Sequence, residues 1–156
     1  MPIVAASLVV ASSKNAVPYH LNAAIVDICS ASIKARGAFT IALSGGSLPS
    51  FLSTIKDAFD AKGLDPKFES WHVLLADERC VPSTDPDSNL GALQESFLSK
   101  VPIPSANVYG ISEERLQEST QAVAVDYEAR LRQVLSNTGG HLDLAVLGFG
   151  PDGRKS

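Results

Sequence analysis

The chain has little cysteine, few aromatic side chains and no excess of positive charge. Only Cys29 and Cys80 are cysteines, which is too few for a disulfide framework, and they lack the C-x-x-C spacing of a metal site. A reduced, cytoplasmic compartment is therefore expected. The net charge of −4 and the isoelectric point near 5.3 argue against a nucleic-acid or anionic-membrane partner, because both favour basic surfaces.

Long hydrophobic runs are also missing. No stretch approaches the roughly 18 apolar residues of a membrane span. Residues 1–10 (MPIVAASLVV) are apolar but lack the basic start and cleavage site of a signal peptide, so we expect a first β-strand there. With 45% hydrophobic and 19% charged residues the composition is that of an ordinary globular protein, and we expect residues 1–156 to form a single domain.

Helical and extended patterns alternate along the rest of the chain. Short apolar runs predict strands at residues 39–43, 71–76, 107–111 and 142–147, and the last of these is expected to be a buried central strand. Apolar stripes at helical spacing predict helices over residues 21–35, after Pro49, over 90–98 and over 123–135. This alternation indicates an α/β fold, a Rossmann-like, mostly parallel sheet with helices on both faces.

Polar clusters follow three of these strands. They are Ser44-Gly45-Gly46-Ser47, Asp77-Glu78-Arg79 and residues 148–153 (GFGPDG). Ligands of open α/β sheets bind beyond the carboxyl ends of the strands, so each cluster is a candidate site. The serine-glycine loop suits phosphate, although it is equally a plain turn capped by Ser47. Arg79 suits phosphate or a carboxylate, and Asp77 could orient it or a sugar hydroxyl, although charges at a strand end also suit a solvated rim.

Gly148-x-Gly150-x-x-Gly153 has the spacing of a dinucleotide-binding turn, but we do not assign it that role. The fingerprint needs a following helix and an acidic residue about 20 positions later, and only three residues remain. The histidines, His20, His72 and His141, lie outside the carboxyl-end loops and show no metal-ligand spacing, so we expect surface or core roles for them.

The clusters together resemble the 6-phosphogluconolactonase family, within the wider sugar-phosphate isomerase and deaminase superfamily. The matching segments are residues 44–49 (SGGSLP), 71–81 (WHVLLADERCV), 85–91 (DPDSNLG) and 143–153 (DLAVLGFGPDG). Glucosamine-6-phosphate deaminases share the glycine loops but have Asp-Glu-Tyr where this chain has Asp77-Glu78-Arg79, so Arg79 and DPDSN favour the lactonase.

The resemblance implies hydrolysis of 6-phosphoglucono-δ-lactone to 6-phosphogluconate, in the oxidative pentose phosphate pathway, without a metal or cofactor. It implies that Ser44, Gly45, Gly46, Ser47, Asp77 and Arg79 hold a phosphorylated sugar lactone, and that the intact family form is a monomer. A histidine directly after the glycine loop would be the general base, a role that suits a group titrating near neutrality.

The resemblance breaks at that histidine. The loop with Gly150, Asp152 and Gly153 is followed by Arg154, which cannot act as a base because arginine stays protonated. The family continues with further strands, helices and a basic phosphate-binding segment, so we expect a C-terminally truncated, incomplete domain with an exposed strand edge that favours aggregation. The alternatives are a non-catalytic sugar-phosphate-binding fragment and a glucosamine-6-phosphate deaminase or isomerase relative.

Overall fold

The structure, a computed structural model, describes residues 7–148. Nine helices and strands of this part are named here in chain order: α1 (Val17–Arg36), β1 (Phe39–Leu43), α2 (Leu48–Phe51), α3 (Ile55–Lys62), β2 (Trp71–Leu75), α4 (Asn89–Ser96), β3 (Val108–Tyr109), α5 (Thr120–Asn137) and β4 (Leu144–Val146). Short 3-10 turns lie between several of them. No helix of residues 7–148 is both long and apolar enough to cross a membrane.

The strands form one parallel sheet in the order β3-β2-β1-β4. The register pairs Phe39 with Trp71, Ile41 with Leu144 and Val73 with Val108. All of β1 is buried, as expected for a central strand covered on both faces. All carboxyl ends therefore lie at one edge of the sheet, where the polar clusters follow β1 and β2.

Alternate residues of β1 and β2 face two separate apolar layers. On one face the side chains of α1, α3 and α4 pack against Phe39, Ile41, Trp71 and Val73. On the other face Val134 of α5 packs against Ala42 and Leu74. The predicted α/β fold with helices on both faces of a parallel sheet is confirmed.

Two sequence expectations about strands are corrected. Residues 7–10 form no strand, and the side chains of Leu8 and Val10 are 88% and 81% exposed, because no sheet edge pairs with them; residues 1–6 lie outside the described residues. The strand expected at residues 142–147 is shorter, and among the described residues it is an edge strand rather than a central one. Its Ala145 is exposed, since no described strand covers its outer side.

The helix expected after Pro49 is divided into α2 and α3 by a 3-10 turn at Leu52–Thr54. The cause is Asn22 on α1, whose side-chain amide donates to the Phe51 carbonyl and to Thr54 Oγ1, each at 3.0 Å. Phe51 thus has its carbonyl bound outside the helix at the point where the regular ladder is interrupted. The apolar stripe of Leu52, Ile55 and Phe59 is nevertheless buried as expected.

A buried carboxylate at the amino end of the sheet fixes β4 to β1. Asp143, whose side chain is 4% exposed, accepts hydrogen bonds from Thr40 N at 2.8 Å and Thr40 Oγ1 at 2.9 Å, and it forms an ion pair with Arg36. Burial alone would raise the pKa of Asp143, but the hydrogen bonds from Thr40, Ser32 and Arg36 hold it below its ordinary value. The ionised form is therefore the one that the fold stabilises.

We predict that Asp143→Asn lowers the free energy of unfolding by about 1–3 kcal/mol, because the amide cannot serve both Thr40 and Arg36. The stability that Asp143 supplies is present above its unfolded pKa of about 4 and is lost as the pH falls toward its lower folded pKa. Urea unfolding midpoints measured from neutral to acid pH should therefore converge for the variant and the unchanged protein.

Asp60→Asn is the matched control. Asp60 is an exposed carboxylate paired with Lys56 on the same helix, so its loss should change stability by less than about 0.5 kcal/mol. Equal losses for Asp143→Asn and Asp60→Asn would show that Asp143 does not fix β4.

Candidate functional site

The serine-glycine loop lies directly after β1 and is held from two sides. Ser44 is fully buried, and its Oγ accepts the backbone N–H of Gly148 at 3.1 Å. Gly45 lies so close to the Asn89 side chain that a Cβ atom at Gly45 would collide with the Asn89 amide oxygen. Gly46 has a φ of +67°, a conformation that favours glycine. The loop therefore requires both glycines for separate reasons.

The exposed side of this loop lines a cleft of about 440 Å³, named here the β1 cleft. Its other walls come from the start of α1 and the end of β4 and the residues after it, and its lining includes Val17, Leu21, Val146, Leu147 and Gly148. No hydrogen bond within residues 7–148 uses the backbone N–H groups of Gly45, Gly46 or Ser47. Ser47 makes no capping bond with its side chain, so its hydroxyl is also unused by α2. These donors make the β1 cleft suitable for an anion.

Glu78, in the second cluster, is bound entirely within the protein. Its carboxylate accepts hydrogen bonds from the backbone N–H groups of Asn89 at 2.7 Å, Leu90 at 2.9 Å and Arg79 at 2.8 Å, and from Ser88 Oγ at 3.1 Å. The next N–H, that of Gly91, donates to Ser88 Oγ. Glu78 therefore caps α4 from another element and fixes the segment after β2.

Asp77 is oriented differently from Glu78. Its carbonyl accepts the Asn89 side-chain amide at 3.0 Å, so Asn89 joins the segment after β2 to Gly45. The Oδ1 atom of Asp77 is buried and has no hydrogen-bond partner among the described residues. Asp77 lines a second cleft of about 220 Å³, named here the β2 cleft, together with Glu78, Thr120 and Tyr127. An unpaired carboxylate oxygen in a cleft is an acceptor available to a ligand hydroxyl.

Tyr127 forms the floor of the β2 cleft. Its hydroxyl accepts from Leu75 N at 2.7 Å and donates to Leu75 O at 3.0 Å, at the point where β2 ends. Burial raises the pKa of Tyr127 to about 12, so the hydroxyl remains protonated. This residue supports the end of β2 and is placed, as expected, in the core.

Arg79 is exposed and lines neither the β1 nor the β2 cleft. Within residues 7–148 it forms no ion pair, and Asp77 does not orient its guanidinium. Only its backbone is fixed, through Glu78. Its position directly after Glu78 still places a mobile, uncommitted cation at the same edge of the sheet as the serine-glycine loop.

The remaining candidates are far from this edge or outside the described residues. His72 contacts Tyr109 Oη at 2.9 Å beneath α5, and burial lowers its pKa. His141 lies beside Asp143 at the opposite end of the sheet, and His20 is an exposed residue of α1. Gly150, Asp152, Gly153 and Arg154 lie outside the described residues.

Sequence reasoning missed the roles of Glu78 and Asn89. Both lie within segments that were singled out, but their contacts join residues 11 or more positions apart, which no periodic pattern reports. The one local signal was the serine at position 88, which caps α4 as the turn before it indicated.

Comparison with known proteins identifies the family. The sequence model that describes glucosamine-6-phosphate isomerases and 6-phosphogluconolactonase matches residues 12–154. The chain belongs to this family. The matched range contains the serine-glycine loop, the Asp77-Glu78-Arg79 cluster and the glycine loop after β4.

Curated lactonase-family relatives include two plant proteins. The chloroplastic 6-phosphogluconolactonase 3 of Arabidopsis thaliana is 42% identical over 130 residues, which are 78% of this chain and 38% of that protein. The probable 6-phosphogluconolactonase 2 of Oryza sativa subsp. indica is 38% identical over 139 residues, 83% of this chain and 48% of that protein. The chain thus spans less than half the length of these relatives.

Solved structures of the family share the fold. The 6-phosphogluconolactonase of Thermotoga maritima superposes with a TM-score of 0.74 at 24% identity, over 89% of this chain and 58% of that one. The enzyme of Trypanosoma brucei gives a TM-score of 0.64 at 25% identity, over 95% and 61%. The sheet and helices described here are therefore those of the lactonases.

We predict that Gly45→Ala destabilises the chain by about 1–3 kcal/mol, because the new methyl group overlaps the Asn89 amide. Asn89→Ala alone should also destabilise it, by losing the bond to the Asp77 carbonyl. In the double variant the overlap no longer exists, so the two losses in urea unfolding should sum to clearly more than the measured loss.

Additive losses in this double-mutant cycle would show that Gly45 and Asn89 do not constrain each other. Gly63→Ala is the reference for a glycine that needs a positive φ but has open space around it, so its cost should be independent of Asn89.

Proposed function

We propose that the chain carries the sugar-phosphate-binding part of a 6-phosphogluconolactonase, whose reaction is the hydrolysis of 6-phosphoglucono-δ-lactone to 6-phosphogluconate. Residues 1–156 are then one incomplete domain of that enzyme, acting in the cytoplasm. The observation that carries the proposal is the serine-glycine loop, whose unused N–H groups line the β1 cleft. The family membership supplies the class of anion, a phosphorylated sugar.

The assignment of donors follows from which groups are free. The first three N–H groups of α4 are already bound by Glu78 and Ser88, so α4 has none left for an anion. The loop after β1 has unused N–H groups and the exposed Ser47 hydroxyl. A phosphate in the β1 cleft would therefore contact Gly45, Gly46 and Ser47, while buried Ser44 holds the loop in place.

Asp77 and Arg79 are assigned to the rest of the substrate. The unpaired Oδ1 of Asp77 supports a role as acceptor for a sugar hydroxyl. Arg79 supports a charge-assisted contact with phosphate or with the lactone oxygen as negative charge develops on it. Arg79 is also the residue that favours a lactonase over a deaminase, which has tyrosine at that position of the family pattern.

The general base is the part of the reaction that this chain lacks. In the family pattern a histidine takes a proton from the water that attacks the lactone carbonyl, and Arg154 stands at that position here. We therefore expect the chain to bind 6-phosphogluconate and to leave the lactone unhydrolysed above the spontaneous rate.

Isothermal titration with 6-phosphogluconate tests the binding role. Arg79→Ala should weaken binding at least about tenfold, the effect of losing one charge-assisted contact. Arg132→Ala is the matched control: it also removes one exposed arginine, but from the outer face of α5, where Arg132 pairs with Glu128. Equal affinities for the two variants would remove Arg79 from the site.

Hydrolysis of freshly prepared 6-phosphogluconolactone separates the alternatives. A rate equal to that of buffer, together with binding, supports a binding part without its base. A rate above buffer that Arg79→Ala abolishes would show that another residue acts as base. Turnover of glucosamine 6-phosphate would overturn the lactonase assignment in favour of a deaminase.

A further inference from the structure

Two apolar features of the chain are left uncovered in the described residues. One is the outer edge of β4, with exposed Ala145 in the strand and Leu147, which is 50% exposed, directly after it. The other is residues 8–10, named here the N-terminal run, where Leu8, Val9 and Val10 are 88%, 65% and 81% exposed. β-Branched and apolar residues in succession favour an extended strand, and an unpaired strand edge accepts one.

The topology of the sheet shows on which side a strand made by the N-terminal run belongs. The connection from β1 to β2 passes through α3 on one face and moves away from β4. The connection from β3 to β4 passes through α5 on the opposite face and moves in the opposite direction. Reversal of both face and direction keeps one hand, as parallel crossovers require.

The same rule applies to the strand before α1. Because α1 lies on the face of α3, the connection through α1 must move in the direction of β1 to β2. A strand that precedes α1 therefore lies on the β4 side of β1. The start of α1 is also near the end of β4, since Val17 and Leu21 share the β1 cleft with Val146 and Leu147.

We propose that the N-terminal run adds a strand to the edge of β4 in a second copy of this chain, so that two copies exchange runs in a closed dimer. Within a single copy the run leaves its own β4 unpaired and stays exposed. Each copy thus has one strand to give and one edge to receive, and reciprocal exchange about a two-fold axis satisfies both. The surface is separate from the residues assigned to the sugar phosphate.

Sedimentation velocity over a concentration series tests the dimer. Val9→Lys places a charge in the middle of the run, at a position already exposed in the single copy, so the monomer fold is not affected. The unchanged chain should form a dimer that dissociates on dilution, and Val9→Lys should weaken it at least about tenfold. Val125→Lys is the matched control, since Val125 is 56% exposed on α5 and should dimerise as the unchanged chain does.

A monomer at every concentration, as the family resemblance implies for the intact form, would overturn the proposal. So would equal dimerisation of Val9→Lys and Val125→Lys. Disulfide trapping distinguishes the occupants of the edge: with Cys80→Ser, the pair Val9→Cys and Ala145→Cys should give a covalent dimer under oxidation. A cross-link confined to single chains would show that the run pairs with its own β4 and would also overturn the exchange.

Discussion

The carboxylate of Glu78 is the constraint on which the carboxyl edge of the sheet depends. It follows β2 but accepts the first N–H groups of α4, so it replaces the local cap that a helix start otherwise needs. That bond positions Asn89, which contacts Gly45 and holds the Asp77 carbonyl. Two loops that follow different strands are thereby fixed to each other through one side chain, before any ligand contributes.

This arrangement decides where an anion can bind. A long helix usually offers the stronger anion site, because its N-terminal N–H groups add to its dipole. Here α4 is occupied by Glu78, whose negative charge would also repel a phosphate. The shorter α2 leaves its preceding loop unbound, so the donors of Gly45, Gly46 and Ser47 remain. The sheet thus separates a strand end used for internal structure from one that is open to ligand.

The parts of the fold that could be predicted were those that local periodicity determines. The strands at Phe39–Leu43 and Trp71–Leu75, and the long helices α1 and α5, follow their apolar patterns closely. The break between α2 and α3 could not be predicted, because it depends on Asn22 from another helix. The edge position of β4 is a property of its neighbours, and the partners of Glu78 are set by tertiary contacts. Of the site, the loops could be located from sequence, but not which of their polar groups remain free.

The register of β4 is fixed at both ends, although its outer side is unpaired. Asp143 binds Thr40 at the amino end, and Gly148 donates to Ser44 at the carboxyl end. A strand of three residues would otherwise slip easily, since one step would exchange its two faces. Because Gly148 is held against the serine-glycine loop, the chain leaves β4 at the wall of the β1 cleft. The chemistry of the segment that follows Gly148 is therefore set beside the proposed phosphate, and an arginine there in place of a base changes the reaction rather than the fold.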